Sequence, residues 1–284
     1  MKIIQLTHQT CQMMGYILQA DDGTLCCIDG GMTADAEYML RMLKKVGGEK
    51  PRIKYWFLSH AHLDHCDAFL ALHSRMGTDF ELEHPVYTFP AAKDVSEHEK
   101  MYEDTAISFE KLRPEHIEPK AGDVFDLGSG AKMHVLQTWI PEETTNLINN
   151  SSTVFQLEAD DVKVIFLGDL GAEGGKRLLN AYGANLKCDI VQMAHHGQNG
   201  VERDVYAAMQ PEMCLWNTPG WLWHNTIDPL YPGKGPWKTL EVRRWMEELG
   251  AQRHVITRDG TWEIALHDGA ASVSRLEKRT EETD

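Results

Sequence analysis

The order hairpin, aspartate, helix, strand and histidine occurs twice along the chain, and this repeat constrains the fold more than any other feature. In the first copy, apolar runs on either side of Asp21-Asp22-Gly23 predict a β-hairpin that ends at Asp29. Apolar residues at helical spacing over 34–46 predict an amphipathic helix, and a buried strand over 53–58 then leads into His60.

The second copy begins at Ser152 and follows the same plan. A hairpin over 152–167 ends at Asp169, and a helix over 173–182 and a strand over 188–193 lead into His195 and His196. Two halves of this kind predict a sandwich of two sheets with helices outside. Because loops at the carboxyl ends of strands form sites, we expect the two sets of Asp and His to meet in one cleft.

The chain of 284 residues and 32.2 kDa fits one large domain. We expect a single domain over 1–270, with a helical insertion near 91–112 that caps the cleft. Residues 271–284 are charged and are expected to form a frayed tail.

Charge and composition exclude several classes of protein. The 28 Lys and Arg stand against 43 Asp and Glu, a formal charge of −15, so no long nucleic acid is expected as a partner. The chain lacks a run of about eighteen apolar residues and a signal-peptide layout, so we expect no membrane partner and a cytoplasmic location. The six cysteines show no C-x-x-C spacing and are expected to be free thiols.

Three imidazoles and a carboxylate lie within six residues directly after the first buried strand, in the motif His60-Ala61-His62-Leu63-Asp64-His65. Imidazole nitrogen and carboxylate oxygen are ligands of zinc and of its neighbours in the first transition row. Alternate positions of an extended turn point His60 and His62 to one side, while Asp64 and His65 can face a second ion.

Together with Gly168-Asp169 and His195-His196-Gly197, this motif resembles the metallo-β-lactamase fold superfamily. The run from Asn149 to Gly197 is similar to the soluble hydrolase domain of ComEC-type DNA-uptake proteins and to phosphorylcholine esterases. The resemblance implies an α/β fold, a four-layer αββα sandwich with a two-metal site at one edge. It implies two zinc ions, with manganese or iron as alternatives.

The resemblance also implies a ligand set. His60 and His62 would bind the first metal, Asp169 would bridge both metals, and the second metal would take Asp64, His65 and His195. The superfamily usually supplies another His to the first metal, but this chain has Asn149-Asn150-Ser151 at that place. Asn149, Asn150 or water is therefore expected to complete the first metal, and Asn150 is also a candidate substrate-binding residue.

Two residues are predicted to act on the reaction itself. Asp64 can hydrogen-bond the metal-bound water and take its proton. Because Gly197 leaves His196 free to face the substrate, His196 is a candidate to stabilise the oxyanion or to protonate the leaving group. A hydrogen bond that orients a ligand is the alternative role for His196.

An aromatic segment from Trp216 to His224 contains three of the eight tryptophans. Rings on a loop near the cleft could stack on a base, a ring or a quaternary amine, so Trp221, Trp223 and His224 are candidate substrate-binding residues. The alternative is that these rings attach the loop to the core.

These features predict a metal-dependent hydrolase that uses a metal-bound hydroxide on a small phosphodiester. Hydrolysis of a carboxylic ester, lactone or thioester is the second hypothesis, and a metal-binding redox or non-catalytic role is the third. In each case the expected partner is a small molecule.

Overall fold

The structure, a computed structural model, describes residues 1–95, 97–112 and 116–279. The strands in chain order are β1 (Lys2–Gln5), β2 (Gly15–Gln19), β3 (Leu25–Asp29), β4 (Arg52–Phe57), β5 (Glu81–Val86), β6 (Val124–Gly128), β7 (Ala131–Gln137), β8 (Val154–Ala159), β9 (Val162–Phe166), β10 (Ile190–Gln192), β11 (Met213–Trp216), β12 (Arg253–Ile256), β13 (Gly260–His267) and β14 (Ala270–Lys278). They form two seven-stranded sheets, ordered β14-β13-β1-β2-β3-β4-β5 and β12-β11-β10-β9-β8-β7-β6.

Both hairpins that the sequence predicts are present, as the antiparallel pairs β2–β3 and β8–β9. Their turns use the residues that tolerate the left-handed backbone region. Gly23 has φ +87° in the first turn, and Asp160 and Asp161 have φ +52° and +59° in the second. Two successive residues with positive φ suit the twist of a two-residue hairpin turn.

The helices are α1 (Ala36–Gly47), α2 (Leu63–His73), α3 (Glu103–Leu112), α4 (Leu147–Asn150), α5 (Ala172–Tyr182), α6 (Arg203–Met209), α7 (Gly220–Trp223) and α8 (Thr239–Glu248). Apolar residues of α1, α2 and α3 pack on the outer face of the first sheet, and those of α5, α6 and α8 pack on the second. Among the described residues, no helix combines the length and the apolar character that crossing a bilayer requires.

The main core lies between the two sheets. Neighbouring residues of a strand point to opposite faces, so in β4 Phe57 enters the space between the sheets while Trp56 packs under the helices. Phe57 contacts Phe155 of the second sheet at 5.2 Å between ring centroids. Helices on both outer faces of two packed sheets confirm the predicted four-layer αββα sandwich.

The expected frayed tail over 271–284 differs from the structure in its described part. Strand β14 pairs with β13 over eight residues, including Ile264 with Val273. Partly buried Val273 packs against the inter-sheet core, so the charged side chains stand on the solvent face of an edge strand. Residues 280–284 lie outside the described residues.

The expected helical segment over 91–112 contains two 3-10 helices, Ala92–Asp94 and Glu97–Tyr102, followed by α3. The Glu99 carboxylate accepts the backbone N–H groups of Leu147 and Ile148 at 3.3 and 2.9 Å, at the beginning of α4. The insertion is therefore attached to a loop of the second sheet.

Candidate metal centre

The histidine motif follows β4 at the edge of the sandwich where the parallel strands end. His60 and Ala61 lie in the loop, and His62 is extended, with φ −85° and ψ 150°, directly before α2. Asp64 and His65 lie in the first turn of α2, so the motif begins in a loop and ends in a helix. This change of backbone direction turns the two parts of the motif toward different groups of partners.

Asp29, at the end of β3, fixes the orientation of the motif. Its carboxylate accepts the backbone N–H of Ser59 at 2.7 Å and the Ser59 hydroxyl at 2.8 Å. Its Oδ2 is also 2.8 Å from Nδ1 of His65. Because the Ser59 proton goes to Asp29, the Ser59 oxygen is the acceptor for Nδ1 of His60 at 3.0 Å. Both rings, when neutral, then present the lone pair of Nε2.

The second sheet supplies Asp169, one residue beyond a turn at Gly168. A Cβ at Gly168 would lie 3.0 Å from Ser59 and from the Ser152 hydroxyl, and its φ of +57° is in the left-handed region, so glycine fits here. The Gln192 side chain holds this turn by accepting the N–H groups of Leu167 and Gly168 at 2.7 and 2.8 Å. Asp169 is thereby fixed against the first sheet.

Two groups of potential ligands share the Asp169 carboxylate. One group is His60, His62 and Asp169, and the other is Asp64, His65, Asp169 and His196. Within each group the ligand atoms lie within 4.8 Å of one another, and all of the side chains are buried. From Nε2 to the nearest Asp169 oxygen the distance is 3.1 Å for His65, 3.6 Å for His196 and 3.8 Å for His60.

Several atoms of this cluster are buried without a hydrogen-bond partner: Nε2 of His60, His65 and His196, and Oδ1 of Asp169. Buried polar atoms are normally satisfied, so four orphans facing one another indicate a missing common partner. Two ligands of one ion, each about 2.0–2.2 Å from it, lie roughly 3–4 Å apart, which matches these separations. The residues therefore fit two metal ions.

The electrostatics of the cluster agree with cation binding. Burial lowers the pKa of His62 to about 4 and that of His60 well below its usual range, so both rings are neutral donors near pH 7. Burial acts to raise the pKa of Asp169, but the charges of His65 and His196 outweigh it and keep that carboxyl ionised. Neutral imidazole and ionised carboxylate are the forms that coordinate metals.

The neighbours His195 and His196 differ from the sequence expectation. His196 is fully buried, with Nδ1 2.8 Å from the Asn217 carbonyl oxygen and Nε2 2.9 Å from Asp64 Oδ2. The His195 side chain is 20% exposed, and its Nε2 lies 3.7 Å from Asp169 Oδ2. The structure thus places His196, and not His195, in the group with Asp64 and His65.

A local backbone feature explains the difference. From the resemblance we expect His195 to bind the second metal, and we expect Gly197 to leave His196 free to face the substrate. In the structure, β10 ends at Gln192, and both histidines have positive φ, +51° and +56°. Gly197 continues the turn at φ +78°, with Trp216 so close that a Cβ would lie 2.4 Å from its ring. The turn rotates His196 inward and leaves its ring no open space toward a substrate.

The Asn150 side chain makes its hydrogen bonds to nearby residues of the second half of the chain. Its Oδ1 accepts the N–H groups of Gly171 and Gly174 at 3.0 Å each, and its Nδ2 donates to the Thr145 carbonyl at 2.7 Å and to Glu173 at 3.1 Å. With these four hydrogen bonds, Asn150 caps the beginning of α5. The side chain has no capacity left for a metal or a substrate.

The three candidate substrate-binding residues of the aromatic segment have different surroundings in the structure. Trp221 donates its indole N–H to the Cys11 carbonyl and packs against Trp237 at 4.7 Å. Trp223 packs edge-on against Trp216 and lies under the Arg243 guanidinium, 4.0 Å from the ring centre, so it attaches the segment to α8. His224 is exposed, with Nε2 2.7 Å from the Arg258 guanidinium.

Two residues of the site are missed by the sequence argument. Gln12 donates its amide N–H to Asp64 Oδ2 at 2.5 Å, from the loop before β2. Tyr102, in the helical insertion, packs its ring on His62 at 4.1 Å between centroids. Neither residue belongs to a motif, and only the folded chain brings them to the cluster.

The fold and this pair of ligand groups define a metallohydrolase-type sandwich, and comparison with known proteins agrees. A model of the metallo-beta-lactamase superfamily matches residues 14–211, more than half of the chain. The chain therefore belongs to the metallo-beta-lactamase superfamily.

Relatives of this chain match it in different ways. Over 99 residues it is 35% identical to ComE operon protein 3 of Bacillus subtilis (strain 168), which is 34% of this chain but 12% of that protein. The metallo-beta-lactamase fold protein YhfI from Bacillus subtilis superposes on this chain with a TM-score of 0.54 and 12% sequence identity. The match covers 92% of this chain and 99% of the YhfI chain. CmlA, a diiron beta-hydroxylase from Streptomyces venezuelae, has a TM-score of 0.51 and 13% identity, over 97% of this chain and 54% of its own. At these identities the structural likeness shows the fold alone.

Replacing Asp169 by Ala should remove most of the bound metal, because both ligand groups depend on this carboxylate. We expect elemental analysis of the purified wild-type protein to give between one and two transition-metal ions per chain, about the number that a two-metal site can hold. Asp161→Asn, which removes an exposed carboxylate from the β8–β9 turn, should leave the metal content unchanged. Full metal content in Asp169→Ala would contradict a shared ligand.

The structure exchanges the roles that the sequence predicts for His195 and His196. His196→Ala should lower the metal content, because it removes a buried Nε2 that faces Asp64 and Asp169. His195→Ala should retain the metal and lower turnover by about tenfold to a thousandfold, as lost contacts to a reacting group typically do. Metal loss confined to His195→Ala would restore the assignment that the sequence predicts.

Asn150→Ala should destabilise the protein without affecting its metal. The substitution leaves two buried N–H groups at the beginning of α5 without an acceptor, and such a loss costs about 2–4 kcal/mol. Urea denaturation measures the change, with Asn180→Ala on the exposed face of α5 as a matched control. Loss of metal from folded Asn150→Ala would show that this amide serves the site.

Proposed function

We propose that this protein is a metal-dependent hydrolase of a small phosphodiester. The observation that carries the proposal is the convergence of four orphaned buried ligand atoms on two overlapping groups that share Asp169. A purely structural role does not account for so many unsatisfied atoms in one cluster, because each costs free energy unless a ligand satisfies it.

The chain's own residues divide into two sets of ligands. His60, His62 and Asp169 would hold one ion, and Asp64, His65, His196 and Asp169 would hold the other. Two such ions would supply Lewis acidity toward the electrophile and an activated water near neutral pH. Zinc is the proposed metal because imidazole and carboxylate donors suit it, with manganese and iron as alternatives.

Asp64 is the residue that we assign to receive the proton of the attacking water. Its side chain is 11% exposed against 2% for Asp169, so of the two carboxylates it lies nearer the opening. Burial acts to raise the pKa of Asp64, but the charge of His65 and the contact with His196 lower it strongly. Gln12 donates a hydrogen bond to Oδ2, which fixes the direction of the carboxylate.

His195 takes the role beside the substrate that the sequence argument gave to His196. Its Nδ1 is 3.2 Å from the Asn199 carbonyl oxygen, which fixes the ring, and its side chain is partly exposed. A ring held at one nitrogen and open at the other can donate to the oxygen on which negative charge develops or to the leaving group.

Two further observations support the substrate class. The match to ComE operon protein 3 agrees with the branch that the motifs from Asn149 to Gly197 resemble. The formal charge of −15 disfavours long polyanions, whereas bound cations would attract a single phosphate to the cluster. Trp221 is the aromatic residue proposed to contact the leaving group, since its loop partner Cys11 is next to Gln12.

A panel of chromogenic substrates tests the proposal. Phosphodiesters, phosphomonoesters, carboxylic esters, lactones and thioesters are assayed with zinc, manganese or iron added, and activity should be confined to phosphodiesters. Asp169→Ala serves as the inactive control, which excludes a contaminating hydrolase. Activity on carboxylic esters, lactones or thioesters alone would replace the phosphodiester assignment. Tight, salt-sensitive binding and cleavage of duplex DNA would indicate a nuclease instead.

A further inference from the structure

Tyr102 is the residue of the helical insertion that reaches the ligand cluster. Its ring lies on the ring of His62, with 4.1 Å between centroids and 42° between planes. His62 is nine-tenths buried and belongs to the group with His60 and Asp169, so Tyr102 contacts a member of the first ligand group. The aromatic contact leaves the far end of the side chain, the hydroxyl, to a different partner.

The Tyr102 hydroxyl is a donor without a protein acceptor among the described residues. The side chain is half-buried. A phenol ionises only at about pH 10, so this group is a neutral O–H donor near pH 7. A neutral donor can bind an anionic oxygen there without adding charge to the ligand groups.

The position of Tyr102 is fixed from two directions. Glu99, one turn earlier, accepts two N–H groups at the beginning of α4. On the other side, Phe109 of α3 is buried against Phe69 and Tyr87, with ring centroids 5.9 and 5.0 Å apart. These anchors connect the insertion to both sheets, so the hydroxyl is placed in advance and a substrate need not order it.

The two histidines that follow β10 contact residues other than His62. His196 is enclosed by Asn217 and Asp64, and His195 stands beside Asp169 on a loop of the second sheet. Tyr102 packs on His62, so its hydroxyl is a donor available to a second substrate oxygen on that side of the cluster.

We propose that Tyr102 is a substrate-binding residue whose hydroxyl donates a hydrogen bond to a phosphoryl oxygen beside His62. This inference rests on the proposed hydrolysis of a phosphodiester and names a residue that positions that substrate. Because the donor contacts a charged oxygen, its loss should weaken binding by about tenfold to a hundredfold. The ring contact with His62 is a separate function of the same side chain, which a phenylalanine preserves.

Binding of inorganic phosphate to the metal-loaded protein tests Tyr102 without relying on turnover. Isothermal titration should show a Kd about tenfold to a hundredfold higher for Tyr102→Phe than for the wild type, with equal metal content. The kcat/KM for a chromogenic phosphodiester should fall by a similar factor. Tyr231→Phe is the matched control, because this tyrosine is 63% exposed on the loop between α7 and α8 and should change neither value.

The possible failures are distinguishable. If the wild type binds phosphate and Tyr102→Phe binds it equally well, the role of Tyr102 is wrong while the proposed function stands. If the loaded wild type binds no phosphate, the phosphodiester class and the role of Tyr102 both fail. Tyr102→Ala separates the two functions of the side chain, since it should also lower metal content by freeing the His62 ring. If Tyr102→Phe lost as much metal as Tyr102→Ala, the only role of Tyr102 would be to hold the His62 ring in place.

Discussion

Three carboxylates, those of Asp29, Asp64 and Asp169, are buried at one edge of the sandwich, and the site depends on how their charge is compensated. Buried negative charge is costly unless positive charge and hydrogen bonds accompany it. His65 stands among all three, with Nδ1 2.8 Å from Asp29 and Nε2 3.1 Å from Asp169 and 3.9 Å from Asp64. Burial acts to lower the pKa of His65, but the carboxylates outweigh it and raise that pKa. Without a cation, a protonated His65 compensates part of this charge; a bound cation would replace the proton at Nε2 and take over that compensation.

Sequence patterns predict those parts of the fold that local chemistry determines. Turn residues such as Gly23 and Asp160 mark the hairpins, and apolar periodicity marks α1 and β4, because both signals act between residues close in the chain. Strand β14 could not be recognised in this way. Five of its nine residues are exposed and none is fully buried, and it forms because β13 offers an unpaired edge, which is a property of the assembled sheet.

The same limit applies to the individual residues of the site. Spacing alone brings His60, His62, Asp64 and His65 together, because they occupy one loop and one helical turn. The choice between His195 and His196 depends on two left-handed residues and on the ring of Trp216 against Gly197, which no spacing rule contains. Tyr102 carries no motif signal, and its contact with His62 arises from an insertion that other contacts hold in place.

The two ligand groups also tie the metal chemistry to the packing of the whole domain. The first sheet supplies the histidine motif and the second supplies Asp169 and His196, so their separation is set by the core between the sheets. Tyr16 of β2 packs edge-on against Phe166 of β9 at 5.0 Å, and its hydroxyl donates to Asn217 of the second sheet. The Asn217 carbonyl in turn contacts His196. Close-packed interiors shift little at low cost, so a change in these rings moves the ligand atoms of one sheet relative to those of the other. The positions of the ligand atoms therefore depend on aromatic packing in the core between the sheets as well as on the ligand residues themselves.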